Sequence, residues 1–402
     1  MSNNKPHSNP SPEGEGLSKA MGRIAPSSTA AMSDRAFALR AGGADIISLS
    51  VGEPDFATPA HVIEAAKAAL DAGDTRYTAV AGTAALRAAA ALHFARDLGI
   101  AVPPEQVIVS AGGKQAIFHA LVATLDPGDE VLIPCPWWVS YPEIVRFAGG
   151  TVVPLETSPG SGYRITPAQL AAAITPNTRW LLINSPGNPT GSVYSAAELQ
   201  ALGAVLARHP QVMVLSDDIY APLRYTPGRH ATIAAECPDL EDRVLTVSGL
   251  SKSHAMTGFR IGLAAGPAWL VKAMGKLQSH SMGSPSTNSQ AAAVAALLGS
   301  QDFLADWCAI MRQRRDTVIA AINAIPGLSA PVPDGAFYAM VDAGPHMARF
   351  GDDQALCLHL LSAGVAVVPA SAFGGRDGFR ISFAASAATL EEALRRIAKA
   401  LS

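Results

Sequence analysis

The sequence predicts an α/β protein in which a mainly parallel sheet, covered by helices on both faces, is joined to a smaller α+β unit. Three observations carry this. Short apolar runs alternate with helical patterns between about residues 107 and 265, polar groups suited to chemistry follow four of those runs, and the last hundred residues change character. Runs that stay apolar belong to strands buried on both faces, as in a parallel sheet between helical layers. Ligands on such sheets sit at the carboxyl ends of the strands.

Taken in chain order, residues 1–20 are polar and rich in Pro, Ser, Asn and Glu, and they read as a disordered tail. Residues 21–58 form an N-terminal arm that packs with the smaller unit: a helix over 32–41, a strand over 46–50 and the turn Gly52-Glu53-Pro54-Asp55. The large domain spans 59–300. It opens with a helix over 61–70 and then places strands at 107–109, 131–133, 180–183, 212–215, 244–247 and 261–265, with helices such as 115–125 and 196–207 between them. The smaller domain, 301–402, begins with a helix over 302–322. It continues through Gly335-Ala336-Phe337-Tyr338 and strands near 365–368 and 379–383, and closes with a helix over 390–401.

Composition excludes several classes. A chain of 402 residues, 49% hydrophobic and 16% charged, buries a large core and is not a disordered protein. A net charge of −3 gives no general attraction to nucleic acid or an anionic membrane. The one basic cluster, Arg312, Arg314 and Arg315, reads as the solvated face of a helix. The four cysteines form no Cys-x-x-Cys pair and the ten histidines show no His-x-x-x-His spacing, so neither a disulfide framework nor a metal site is expected. No apolar run is long enough to span a bilayer and the N-terminus lacks the apolar core of a secretory signal, so a cytoplasmic location is expected.

The most specific stretch runs from Ser248-Gly249-Leu250-Ser251-Lys252 to Thr257-Gly258-Phe259-Arg260. Lys252 offers an amine able to lose its proton and condense with an aldehyde. Arg260, eight positions on, offers a rigid fork of donors for a phosphate. Aldehyde and phosphate on one small molecule describe pyridoxal 5'-phosphate. Gly112-Gly113-Lys114 ends a strand and opens a helix whose first N–H groups face outward; alone it is an ordinary tight turn, with Arg260 it becomes a phosphate cup. Asn188 stands in a loop stiffened by Pro186, Gly187, Pro189 and Gly191, where its amide can donate to a phenolate oxygen without adding charge. Asp217, at a strand end, suits a protonated pyridine nitrogen, and Tyr220 can reach the same phenolate; by itself Asp-Asp-x-Tyr is more often a turn. Asp218 then points away from Asp217. Arg380, between apolar neighbours on a predicted strand, needs a partner: a substrate carboxylate or a structural ion pair.

Together these segments resemble the class I/II aminotransferases of the fold type I pyridoxal-phosphate enzymes, from about Met21 to Ser402, and are most similar to bacterial aspartate aminotransferases with Gly-Gly-Lys-Gln at this turn. The resemblance implies a seven-stranded large-domain sheet, a homodimer with shared active sites, and Lys252 as the residue that carries the cofactor and then acts as general base. It makes Trp138, not Trp137, the residue stacked on the cofactor ring. It assigns Arg380 to the substrate α-carboxylate, Gly52 to a loop closing over that carboxylate, and Tyr77 to the phosphate of the neighbouring subunit. Position 249 is Gly where some relatives carry a phosphate-binding hydroxyl, a role that passes here to Ser251. Lys114 implies acidic substrates, with Ser27, Ser28 and Thr29 lining the same side-chain pocket, so L-aspartate and 2-oxoglutarate are the expected pair. Aminotransfer from prephenate, aromatic or other neutral substrates and pyridoxal-phosphate β-elimination remain open. A non-catalytic pyridoxal-phosphate sensor and a Ser251–Lys252 hydrolase are further alternatives. Only about sixty residues precede the large domain, with no clear helix-turn-helix for the sensor; in the hydrolase adjacent residues rarely aim at one another and the phosphate cup goes unexplained.

Overall fold

A computed structural model describes residues 16–402; the expected tail lies outside the described residues as far as residue 15. Seven strands form one sheet in the spatial order Val107–Ser110, Gly262–Ala265, Val244–Gly249, Met213–Asp217, Thr178–Asn184, Glu130–Cys135, Thr151–Glu156. Six run in the same direction, and Gly262–Ala265 alone is reversed, antiparallel to both of its neighbours. The four strands that lead to chemistry, edge strand Val107–Ser110 among them, are buried along nearly their whole length, which is why they read as apolar runs.

The alternation of strands and helices is as expected, with three differences. Thr151–Glu156 carries a strand that the apolar-run criterion passes over: it is an edge strand, only Leu155 is buried, and Pro154 interrupts it. Helix Ala84–Leu98 starts on a Thr83 side-chain cap, ends at the left-handed Gly99 and buries Leu86, Phe94 and Leu98 against the sheet. Finally, the basic cluster is not a solvated face. Arg314 makes a two-pronged pair with Asp55 at 2.6 and 2.9 Å, and Arg315 lies over the Tyr225 ring and donates to the Pro333 carbonyl. Only Arg312 of the three is exposed.

A separate apolar core joins the two chain ends. Met32, Ala36, Ile46 and Leu49 pack with residues of helix Phe303–Asn323, strands Tyr338–Asp342 and Gly378–Ser382, and helix Ala387–Leu401. The short strand Ile47–Ser48 pairs in parallel with Val365–Ala366, and Ser382 N–H donates to the Leu49 carbonyl. The 50–58 segment is thereby carried from this core across to the carboxyl ends of the large sheet. No described helix is long and apolar enough by itself to cross a membrane.

Candidate active site

A cleft of about 590 Å³ opens at those strand ends, between the large sheet and the second core. Strand Met213–Asp217 delivers Asp217, fully buried at its last position. Its carboxylate accepts from Tyr141 Oη at 2.7 Å and from the Ile219 N–H at 3.3 Å, and no cation pairs with it among the described residues. Burial pushes its pKa up to about 6. Asp218 faces the other way, saturated by Ser216, Thr232 and His230 at 2.8–3.0 Å. The peptide between the two acids thus aims one carboxylate at the cleft and buries the other.

Lys252 follows strand Val244–Gly249 and lines the cleft, where Nζ donates to the Gly52 carbonyl. Burial, and behind it the positive charges of Arg260 and Arg380, push its pKa down to about 8, against the opposing pull of Glu53 and Asp217. An amine in that condition loses its proton far more readily than an ordinary lysine, and a minor fraction is already unprotonated at neutral pH. Arg260 is left-handed at φ 55 and turns its guanidinium back to the Ala111 and Thr257 carbonyls; no carboxylate pairs with it among the described residues. Gly112 is what admits it. A Cβ there would collide with the guanidinium, and the residue's φ of 89 is itself open to glycine at little cost. Gly113 then starts helix Gly113–Val122, whose free N–H groups complete an anion cradle.

Asn188 is held at the mouth of a buried loop: its N–H donates to Asn184 Oδ1 at 2.7 Å, and Asn184 in turn donates to the Asp217 carbonyl at 2.8 Å. Arg380, 3% exposed on strand Gly378–Ser382, donates Nη1 to Asn188 Oδ1 at 3.0 Å and Nη2 to the Ser50 carbonyl. Its Nε has no partner, and its guanidinium lies over the rings of Tyr338 and Phe373, 4.4 and 4.9 Å from their centroids. A buried cation held by rings and neutral acceptors, with donors to spare, is prepared for an anion.

A family model for "Aminotransferase class I and II" matches residues 44–397. The chain belongs to that family. This aminotransferase is therefore pyridoxal-phosphate dependent and has the fold type I architecture. It is 48% identical to an aspartate/prephenate aminotransferase of Cereibacter sphaeroides over 95% of this chain and 97% of that one, and 48% identical to an aspartate aminotransferase of Rhizobium meliloti over 91% of each. Among solved structures it superposes on the aspartate aminotransferase of Rhizobium meliloti with a TM-score of 0.91 at 46% identity, covering 96% of this chain and 99% of that one. The aspartate aminotransferase of Thermus thermophilus with maleate gives 0.92 at 44% identity, covering 96% and 100%.

Of the residues expected from the sequence, the aminotransferase cleft is lined by Gly52, Gly113, Lys114, Trp138, Asn188, Asp217, Tyr220, Ser251, Lys252, Arg260 and Arg380. Ser27 and Thr29 also line it, whereas Ser28 is exposed outside. Gly112 stays behind the wall, making room for Arg260. Tyr77 is 96% exposed and does not reach the cleft of its own chain. Trp137 does not line the cleft either; it packs under Gly374, where a Cβ would lie 2.7 Å from the ring. At position 249 a Cβ would stand 2.9 Å from Ile219 Cδ1 and 3.2 Å from the Ile261 carbonyl, so a side chain there requires Ile219 and the neighbouring strand to give way. Sequence reasoning missed Tyr141, Ser50 and Tyr338. Tyr141 stands in the first turn of helix Ser140–Ala148, just after Trp138, whose ring it meets edge-on at 5.1 Å. Ser50 and Tyr338 carry no local signal.

The residues present fit pyridoxal phosphate. The cleft offers a buried carboxylate with no cation partner for a ring nitrogen, a guanidinium with no carboxylate partner at a helix start for a phosphate, and a buried amine of lowered pKa for an aldehyde.

Proposed function

We propose that this aminotransferase moves the amino group of L-aspartate to 2-oxoglutarate, and that it does so as a cytoplasmic homodimer. The observation that carries the reading is a count of cations. Besides Lys252, whose amine is taken up by the cofactor, Arg260, Arg380 and Lys114 all line one cleft, and none has a carboxylate partner among the described residues. One phosphate and two carboxylates would match them, and aspartate brings two carboxylates. Maleate, present with the Thermus thermophilus relative, is likewise a four-carbon dicarboxylate.

The geometry of the cleft and the family resemblance together support the following roles. Pyridoxal phosphate supplies the carbon that takes the amino group and a ring that draws electrons from the substrate α-carbon. Arg380 grips the α-carboxylate and so fixes the direction of the Cα–H bond. Lys252 Nζ, whose lowered pKa of about 8 lets it lose its proton far more readily than an ordinary lysine, would take the Cα proton and hold it for return. Asp217, given a protonated nitrogen to face, keeps its charge. Asn188 and Tyr220 point donors at the phenolic oxygen, and Trp138 covers the ring and keeps water out. Arg260, Gly113, the backbone about Gly112 and Ser251 hold the phosphate, and Tyr77 reaches the phosphate of the partner subunit. Lys114, with Ser27 and Thr29, takes the side-chain carboxylate. Gly52 closes over the α-carboxylate through its backbone. The large domain, 59–300, carries the cofactor, and 301–402 with the 21–58 arm carries the closing side. The Cereibacter sphaeroides relative supports prephenate, which also bears two carboxylates, as a second acidic substrate.

Titrating the visible absorbance of the purified protein with aspartate, alanine and phenylalanine tests the reading. Aspartate should bleach the band at far lower concentration than the other two. Equal bleaching by all three would reject acidic specificity. Borohydride reduction and peptide mapping should place the cofactor on Lys252.

A further inference from the structure

Tyr338 touches three site elements at once. Its ring lies against the Arg380 guanidinium, 4.4 Å from ring centroid to Cζ. Its hydroxyl is 3.0 Å from the hydroxyl of Tyr220. The same oxygen sits under Gly52, where a Cβ would come within 2.5 Å of it. The residue is 1% exposed, so this placement is fixed by packing: it begins strand Tyr338–Asp342, pairs with Ser382, and its ring meets Tyr220 edge-on at 85°.

We propose that Tyr338 is a positioning residue that links the carboxylate-binding Arg380 to Tyr220, its ring orienting the guanidinium and its hydroxyl donating to Tyr220. This rests on the cofactor and substrate roles proposed above. The direction of the hydrogen bond follows from the neighbours. Two phenols share one proton between their oxygens, and the more acidic one donates it. Arg380 stands over the Tyr338 ring, and a cation on its face makes that phenol the readier proton donor of the two. Tyr338 is thus the better donor, and accepting from it leaves the Tyr220 proton free to point into the cleft. The charged and titratable groups that face the pair are Arg380 and Asp217; Lys252 stands across the cleft from them. Substrate carboxylate on Arg380 and the phenolic oxygen next to Tyr220 are then connected through one side chain.

Two holoenzyme variants separate ring from hydroxyl. Tyr338→Phe keeps the ring under Arg380, so maleate should bind within about twofold of wild type, while kcat falls roughly fivefold to tenfold, as for loss of one buried hydrogen bond. In the same variant the pH midpoint of the cofactor's visible absorbance should rise, because the phenolic oxygen loses part of its hydrogen-bond support. Tyr338→Leu removes the ring as well and should weaken maleate about tenfold. An unchanged midpoint in Tyr338→Phe, or equal loss of maleate affinity in both variants, overturns the proposal. Absence of a visible band in the wild-type protein would instead overturn the cofactor reading beneath it.

Discussion

The wall that carries Arg380 and the wall that carries Lys114 hold their cations in opposite ways. Arg380 is buried, bonded through both Nη atoms to Asn188 and Ser50, and pressed on two aromatic rings. Lys114 is exposed in the first turn of its helix and is held chiefly by the Trp138 ring, 4.9 Å from Nζ. One site is rigid before any ligand arrives, and the other is a charge on a flexible stem. The difference matches two demands. Every amino acid presents the same α-carboxylate, and only a fixed contact can orient the bond that breaks. Side chains differ in length between aspartate and glutamate, and a mobile ammonium follows both.

The comparison breaks first at Arg380. Arg380→Leu leaves the α-carboxylate in a buried pocket with no cation, and kcat/KM for aspartate should fall roughly a thousandfold. Alanine, which shares only that carboxylate, should fall by a similar factor. Steady-state kinetics with both substrates checks this; a loss confined to aspartate would mean that Arg380 reads the side chain.

Lys114 should behave otherwise. Lys114→Ala should lower kcat/KM for aspartate about thirtyfold, the worth of one charged hydrogen bond, and change alanine by less than about threefold. The loss should also shrink as salt rises, because this cation is open to screening. Equal losses for aspartate and alanine would place Lys114 in cofactor binding instead and would remove the contrast between the walls.

The same contrast governs what the sequence disclosed. Lys252, Asp217, Asn188 and Arg260 each stand in a local pattern, a strand end running into a constrained turn, and the structure puts all four on one cleft. Arg380 was visible because an arginine between apolar residues of a strand demands an explanation. Its supports were not. Ser50, Tyr338 and Phe373 reach it from three separate segments, and their meeting depends on strand register (Arg380 opposite Met340, Ser382 opposite Tyr338) that no local pattern encodes. Edge strand Thr151–Glu156 was hidden for a different reason, since Pro154 interrupts its apolar residues and a proline argues against a strand. The reversal of Gly262–Ala265 could not be read either, because direction in a sheet is set by partners and not by composition.

The smallest effect separates the walls most cleanly, because it needs no substrate. Arg380 is among the charges that hold the Lys252 pKa down near 8, and Lys114 is not. A cation disfavours protonation of a nearby amine, so removing it lets the amine keep its proton to higher pH. Uptake of pyridoxal phosphate by the apoprotein requires the unprotonated amine and should therefore accelerate as pH rises through about 8. In Arg380→Leu the midpoint of that rise should move upward by about half a pH unit, a value suited to a charge acting across a partly solvated cleft. In Lys114→Ala it should stay where it is. The stability of the apoprotein carries the same sign. An amine depressed in the folded state binds fewer protons there than in the unfolded chain, so its cost is fully present below pH 8 and fades as pH rises towards the ordinary lysine value. Arg380→Leu relieves part of that cost at neutral pH while exposing no new charge. A matching upward shift in Lys114→Ala would mean that the exposed lysine acts on Lys252 as strongly as the buried arginine, and the division of the cleft into a fixed end and an adaptable end would fail.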